Sequence, residues 1–110
     1  MHTDIHTKNL ELNPPLRAFI EEKSADIERL VGDEGEVAMR WEVGLPSQHH
    51  NTGPVFYAEA NLTIGGHLLR AESTNYDLHA AIVDVKDELK ILVKKFKERA
   101  QEGTRRPAEE

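Results

Sequence analysis

Gly65 and Gly66 separate two runs in which apolar and polar residues alternate. Phe56, Ala58, Ala60, Leu62 and Ile64 fall on one side of the first run, and Tyr57, Glu59, Asn61 and Thr63 on the other; the second run extends from His67 to about Ser73. A period of two is the mark of a half-buried strand. A two-residue connection in a primed turn needs positive φ at both central positions, which glycine adopts without a steric penalty. The pair therefore predicts a β-hairpin, and any fold for this chain must contain an antiparallel sheet with one apolar face.

The rest of the chain supplies the partners of that face. His2 to Lys8 alternates, with Thr3, Ile5 and Thr7 opposite His2, Asp4 and His6, and predicts a first strand. Asn13-Pro14-Pro15 places a capping side chain before prolines at the first helical positions. Leu16, Phe19, Ile20, Ile27, Leu30 and Val31 then recur at helical spacing, and Gly32 offers the stop. From Glu36 the period returns to two, with Val37, Met39, Trp41 and Val43 facing one way. Gly44 to Pro54, rich in turn formers and carrying His49-His50, reads as an exposed, mobile loop. Thr74-Asn75-Tyr76-Asp77 has the form of a capping box with Asp in the reciprocal position. After it, Leu78, Ile82, Val85, Leu89, Leu92 and Phe96 form one helical seam as far as about Ala100. The expected order is β-α-β-β-β-α: an α+β two-layer sandwich, a four-stranded sheet with both helices packed on one face. The domain is expected over residues 1–101, with a flexible charged tail over residues 102–110.

With 110 residues and no cysteine, the chain has room for one domain and offers no thiolate chemistry or cysteine-based metal site. No apolar run reaches the length of a membrane span and the first residues lack signal-peptide character, so a soluble cytoplasmic protein is expected. Catalysis finds little support. Ser24, Ser47 and Ser73 sit in no nucleophile motif, and the pairs Glu21-Glu22 and Glu109-Glu110 do not converge on one point. His2, His6 and His49-His50 show no metal-ligand spacing, and His79 reads as a half-buried packing residue beside the seam. No catalytic residue, metal or cofactor is expected.

Charge is the more informative pattern. The formal net charge is −6, which argues against indiscriminate nucleic-acid binding but leaves room for a local basic face. At about 100° per residue with Val85 at zero, the second helix places its seam at about −20° to 60° and Lys86, Lys97, Lys90 and Lys94 at about 100° to 180°. Asp77, Asp84, Asp87, Glu88, Glu98 and Glu102 fall at about 200° to 300°, with Lys95 and Arg99 among them. Segregated charges place like next to like, at a cost of a few tenths of a kcal/mol per pair, and a linear lysine ridge suits a polyanion backbone. The outward sheet face, with Arg40, Arg70 and the lone aromatic Tyr57, is too mixed for an RNA-recognition sheet of stacked aromatics.

The element order, the opening Ile5-His6-Thr7-Lys8-Asn9-Leu10-Glu11-Leu12 before Leu16-Arg17-Ala18-Phe19-Ile20, and Ala71 to Ile82 with its Asp77-Leu78-His79-Ala80-Ala81-Ile82 helix start resemble the ribosome hibernation factors. This is the family of hibernation-promoting factor and ribosome-associated inhibitor A, also called the sigma-54 modulation family. The resemblance covers about residues 1 to 100 and implies a non-enzymatic protein that lies across the tRNA and mRNA path of the small ribosomal subunit in stress or stationary phase. It implies the small subunit and its rRNA as partners, with no membrane, DNA, small-molecule substrate or cofactor. The family's basic helix maps onto Lys86, Lys90, Lys94, Lys95, Lys97 and Arg99 as rRNA-facing residues, with Lys8, Arg40 and Arg70 as further candidates. The chain ends before the extra C-terminal domain of long-form members, so a short form is expected. Two alternatives remain: a double-stranded RNA binding domain, and a protein-interaction module on the same scaffold that has lost ribosome binding and uses the acidic flank of the second helix or the Pro46–Pro54 loop.

Overall fold

The structure, a computed structural model, describes residues 1–33, 35–46 and 55–109, and side chains as far as residue 100. Its elements are β1 (His2–Lys8), α1 (Pro14–Val31), β2 (Val37–Gly44), β3 (Phe56–Ile64), β4 (His67–Asn75) and α2 (Leu78–Glu109). The sheet order is β1-β2-β3-β4. β1 and β2 are parallel, as the α1 crossover between them requires, and β2, β3 and β4 follow as an antiparallel meander. Met39, Trp41, Val43, Ala58, Ala60, Leu62, Ile64 and Ala71 are buried on one face of this sheet. Leu16, Ile20, Ile27 and Val31 of α1, and Ile82, Val85 and Leu89 of α2, close over that face. Residues at i, i+2 on the strands thus meet residues at i, i+3, i+4 on the helices, the arrangement the two periodicities demand. Among the described residues no helix is long and apolar enough to cross a membrane.

Three local devices fix this layout. Asn13 Oδ1 accepts the Leu16 amide at 2.9 Å and caps α1, with prolines in the first two positions and Gly32, at φ 66°, after the last. Gly65 and Gly66, at φ 52° and 84°, make the turn between β3 and β4. Where β1 and β2 end side by side, a Cβ on Gly44 would collide with the Lys8 carbonyl, and Leu45 donates its amide to that same oxygen at 3.0 Å. The fully buried Trp41 is also satisfied: its Nε1 donates to Ser24 Oγ at 2.9 Å, and that hydroxyl donates to the Ile20 carbonyl at 2.9 Å.

The structure departs from the sequence expectations at four points. β4 continues through Asn75, so the cap of α2 is not a box opened by Thr74. Asp77 is the capping residue: its Oδ1 accepts the His79 amide at 2.9 Å, while Asn75 Oδ1 accepts the amide of Asp77 at 2.9 Å. His79 is exposed rather than half-buried, because in the first turn of α2 its ring packs only against the edge of Phe19, at 4.5 Å, and is left largely to solvent. α2 continues past Ala100 to Glu109, through Gly103 and Pro107, which were expected to keep this stretch out of the helix; the Gln, Glu, Arg and Ala residues around them favour it. Ala81 and Val93 join the buried seam, widening the apolar stripe beyond a single row. The expected mobile loop, with His49-His50, lies for the most part outside the described residues.

Candidate nucleic-acid interface

Two contacts orient α2 against α1. Phe19, in the second turn of α1, meets His79 in the first turn of α2. At the far end, Lys97 Nζ donates to the carbonyl of Leu30 in the last turn of α1, at 3.1 Å. The helices therefore run in the same direction, and the flank of α2 that bears Lys86, Lys90, Lys94 and Lys97 is the one turned toward α1. The acidic flank faces the other way, over β4, where Ser73 Oγ donates to Asp84 at 3.1 Å. The charge split seen along the sequence thus becomes a split between two sides of the molecule, a cationic groove beside α1 and an acidic shoulder beside the β4 edge.

The four groove lysines are not equivalent. Lys86 is half-buried and paired with Asp87 at 2.8 Å, and Lys97 is committed to the α1 carbonyl. Lys90 and Lys94 have no ion-pair or hydrogen-bond partner among the described residues, and Lys94 is exposed. They carry the uncompensated charge. Lys23 of α1 faces them from across the groove, but its charge is met by Glu22 at 3.0 Å: it lies between Phe19 and Leu30 on the same flank, with its ammonium 4.9 Å from the Phe19 ring centroid. Sequence reasoning missed Lys23, although its four-residue spacing from Phe19 places both on one helix side.

The remaining candidates are dispersed. Lys95 and Arg99 are exposed on the opposite flank of α2, and Lys8 ends β1. Arg40 and Arg70 lie on the open face of the sheet, away from both helices. There Arg70 reaches Glu59 at 2.7 Å and Glu72 at 3.2 Å, and the bond to Glu59 above all holds its guanidinium even more firmly protonated than usual. Tyr57 on this face titrates above its ordinary value because it is partly desolvated and bonded to Glu42. A row of register partners, His6, Glu42, Glu59 and Glu72, crosses the same face, so a phosphate chain would meet repulsion there. Among the described residues no three His, Asp or Glu side chains converge as metal ligands would.

Residues 3–101, which include every element up to the last turns of α2, match the family model described as sigma 54 modulation protein / S30EA ribosomal protein. The chain belongs to this S30EA family. It is 31% identical over 102 residues to a ribosome hibernation promotion factor of Staphylococcus aureus and 29% identical over 104 residues to one of Deinococcus radiodurans. These alignments take in 93% and 91% of this chain but 51% and 53% of those proteins, so the chain spans about half the length of the curated relatives it matches. Among solved structures, the N-terminal domain of Protein Y from Thermus thermophilus superposes with a TM-score of 0.74 at 30% identity, over 87% of this chain and 99% of that one. A ribosomal subunit interface protein from Coxiella burnetii shares the fold, with a TM-score of 0.72 at 17% identity over 88% of this chain and 98% of that one. The S30EA match spans all ten basic residues singled out above, with both walls of the groove inside it.

Proposed function

We propose that this S30EA chain binds the ribosome and silences it, occupying the tRNA and mRNA path of the small subunit when translation is idle under stress. The observation that carries this reading is the lysine groove: Lys90 and Lys94 stand unpaired on the α1 side of α2 in a molecule that is otherwise acidic. A groove between parallel helices with fixed positive charge, whose Phe19 ring is taken up by His79 and Lys23, fits the phosphate backbone of folded RNA, which is recognised by shape and backbone more than by base edges. The relatives carry names of ribosome hibernation and subunit interface proteins, which supports the ribosome as the source of that RNA. Silencing of this kind is steric and asks for no catalytic group, metal or cofactor, and it places the protein in the cytoplasm. Lys90, Lys94 and Lys86 are the rRNA contacts we assign first, with Lys23 beside them; Lys97 holds the groove's wall, Lys8, Lys95 and Arg99 are secondary, and Arg40 and Arg70, on the acidic sheet face, are left out of the contact set.

Co-sedimentation with small subunits and with assembled ribosomes on gradients tests this reading. Binding at near-physiological salt that disappears in the Lys90→Glu/Lys94→Glu variant is the expected result. Binding that survives the double reversal, or none by the natural chain at any salt, would refute it.

A further inference from the structure

The S30EA sheet ends in a nine-residue edge strand, β4, whose only charged residues are Arg70 and Glu72. β4 pairs with β3 in one unbroken register from Phe56↔Asn75 to Ile64↔His67, without a bulge, and contains neither lysine nor proline. The two-residue Gly65-Gly66 turn makes Ile64 and His67 the closing hydrogen-bonded pair, so by alternation Leu69, Ala71 and Ser73 also direct their backbone groups at β3. Leu68, Arg70, Glu72 and Thr74 then point theirs outward, and among the described residues nothing accepts or donates to them. An edge of this kind is a template for another strand.

We infer that the strand which fits it is β4 of a second copy of this chain. An antiparallel pair about a two-fold axis at Ala71 sets Arg70 of each copy, already bonded to Glu59 and Glu72 of its own chain, opposite Glu72 of the other, and Leu68 opposite Thr74, so that each guanidinium bridges acids of both copies. The alternatives are worse: an axis at Arg70 or Glu72 opposes like charges, and an axis at Leu69 or Ser73 leaves both charges against neutral residues. The axis at Ala71 also uses the outward-facing residues as its hydrogen-bonded pairs, as the alternation requires.

The helix above the edge carries the same symmetry independently. α2 runs back over β4, and the Ser73–Asp84 bond fixes their relative level. Two residues back along β4 is about 6.6 Å, which on α2 is four to five residues, so Ala71 lies level with Glu88 and Leu89, within a turn of Ile91. Ile91 is 54% exposed, a large apolar side chain on the polar shoulder. Acids Asp84, Asp87 and Glu88 precede it on that shoulder, and the bases Lys95 and Arg99 follow it, with Glu98 between them. The two-fold brings two such shoulders together antiparallel, placing Lys95 of each copy near Asp84 of the other and Ile91 within a turn of its own copy, while Glu88, level with the axis, meets its own copy at the solvent-exposed rim. The lysine groove lies on the opposite side of α2 and stays open, so the pairing does not depend on the ribosome reading.

Sedimentation velocity from micromolar to sub-millimolar protein at near-physiological salt tests it. The natural chain is expected to reach twice its monomer mass. Ile91→Glu, which alters an exposed side chain and spares the fold, should weaken the dimer by at least about tenfold, as should Arg70→Glu or Glu72→Arg alone. Mixing folded Arg70→Glu with folded Glu72→Arg chains should restore a dimer, because each then presents what the other lacks. A natural chain monomeric throughout, an unweakened Ile91→Glu dimer, or a mixture that does not pair would each overturn the proposal.

Discussion

Ser24 and Lys97 show how single side chains hold this structure together, and both make measurable predictions. Ser24 is the one buried polar residue among the described residues, and its hydroxyl links the Trp41 indole to the α1 backbone. Ser24→Ala removes the acceptor and leaves a buried N–H unpaired, so it should cost about 1–3 kcal/mol in urea unfolding, well beyond the loss of one small side chain. Lys97 looks like a ligand contact from its place in the lysine row, yet it caps the carbonyl end of α1, where a cation is also favoured by the helix dipole. Lys97→Met should therefore lower stability by about 1 kcal/mol. Lys94→Met should leave the unfolding curve unchanged and weaken ribosome binding instead; measuring both variants in both assays separates the two roles.

At the scale of elements, α2 depends on how it starts. Asp77 accepts the His79 amide and sits at the positive end of a 32-residue helix, so Asp77→Ala should destabilise the protein by about 1 kcal/mol, and Asp77→Asn, which keeps the cap, by much less. Thermal melts followed by circular dichroism check this ordering. The same junction shows where the sequence was legible and where it was not. Strand and helix identities could be read because each run has a clear period, and the bounds of β1 and α1 because Asn13, the prolines and Gly32 mark them. The start of α2 was misread because Thr74 and Asp77 satisfy the spacing of a capping box, while pairing of Phe56 with Asn75 extends β4 past Thr74. Pairing between strands is a long-range fact that a local motif does not encode. The candidate site divides likewise. Helical spacing put Lys86, Lys90, Lys94 and Lys97 on one flank, but whether that flank faced α1 or solvent depended on how the two helices dock, and so the bond of Lys97 and the contribution of Lys23 stayed hidden.

At the scale of the molecule, the proposed function asks how a chain of net charge −6 would hold a polyanion. The structure separates the signs on α2: its lysine flank beside α1 is basic and its β4 shoulder acidic, while the open sheet face and α1, with Glu21, Glu22, Asp26 and Glu28, carry further acids. Local charge within a screening length of about 8–10 Å governs contact with a phosphate, and the distant acids act mainly on approach. Binding should then behave as if few phosphates were neutralised, about three to four, from Lys90, Lys94 and their neighbours. The logarithm of the association constant should fall with the logarithm of salt at a slope of about −2 to −4, set by about 0.7–0.9 per phosphate contact. Lys90→Gln/Lys94→Gln should reduce that slope by about 1.4 to 1.8, whereas Arg40→Gln on the open sheet face should leave it within error. The measurement is a titration of labelled protein with small subunits at four or more salt concentrations. A slope unchanged by the groove variant but reduced by Arg40→Gln would move the RNA to the sheet, against the row of glutamates that faces it there.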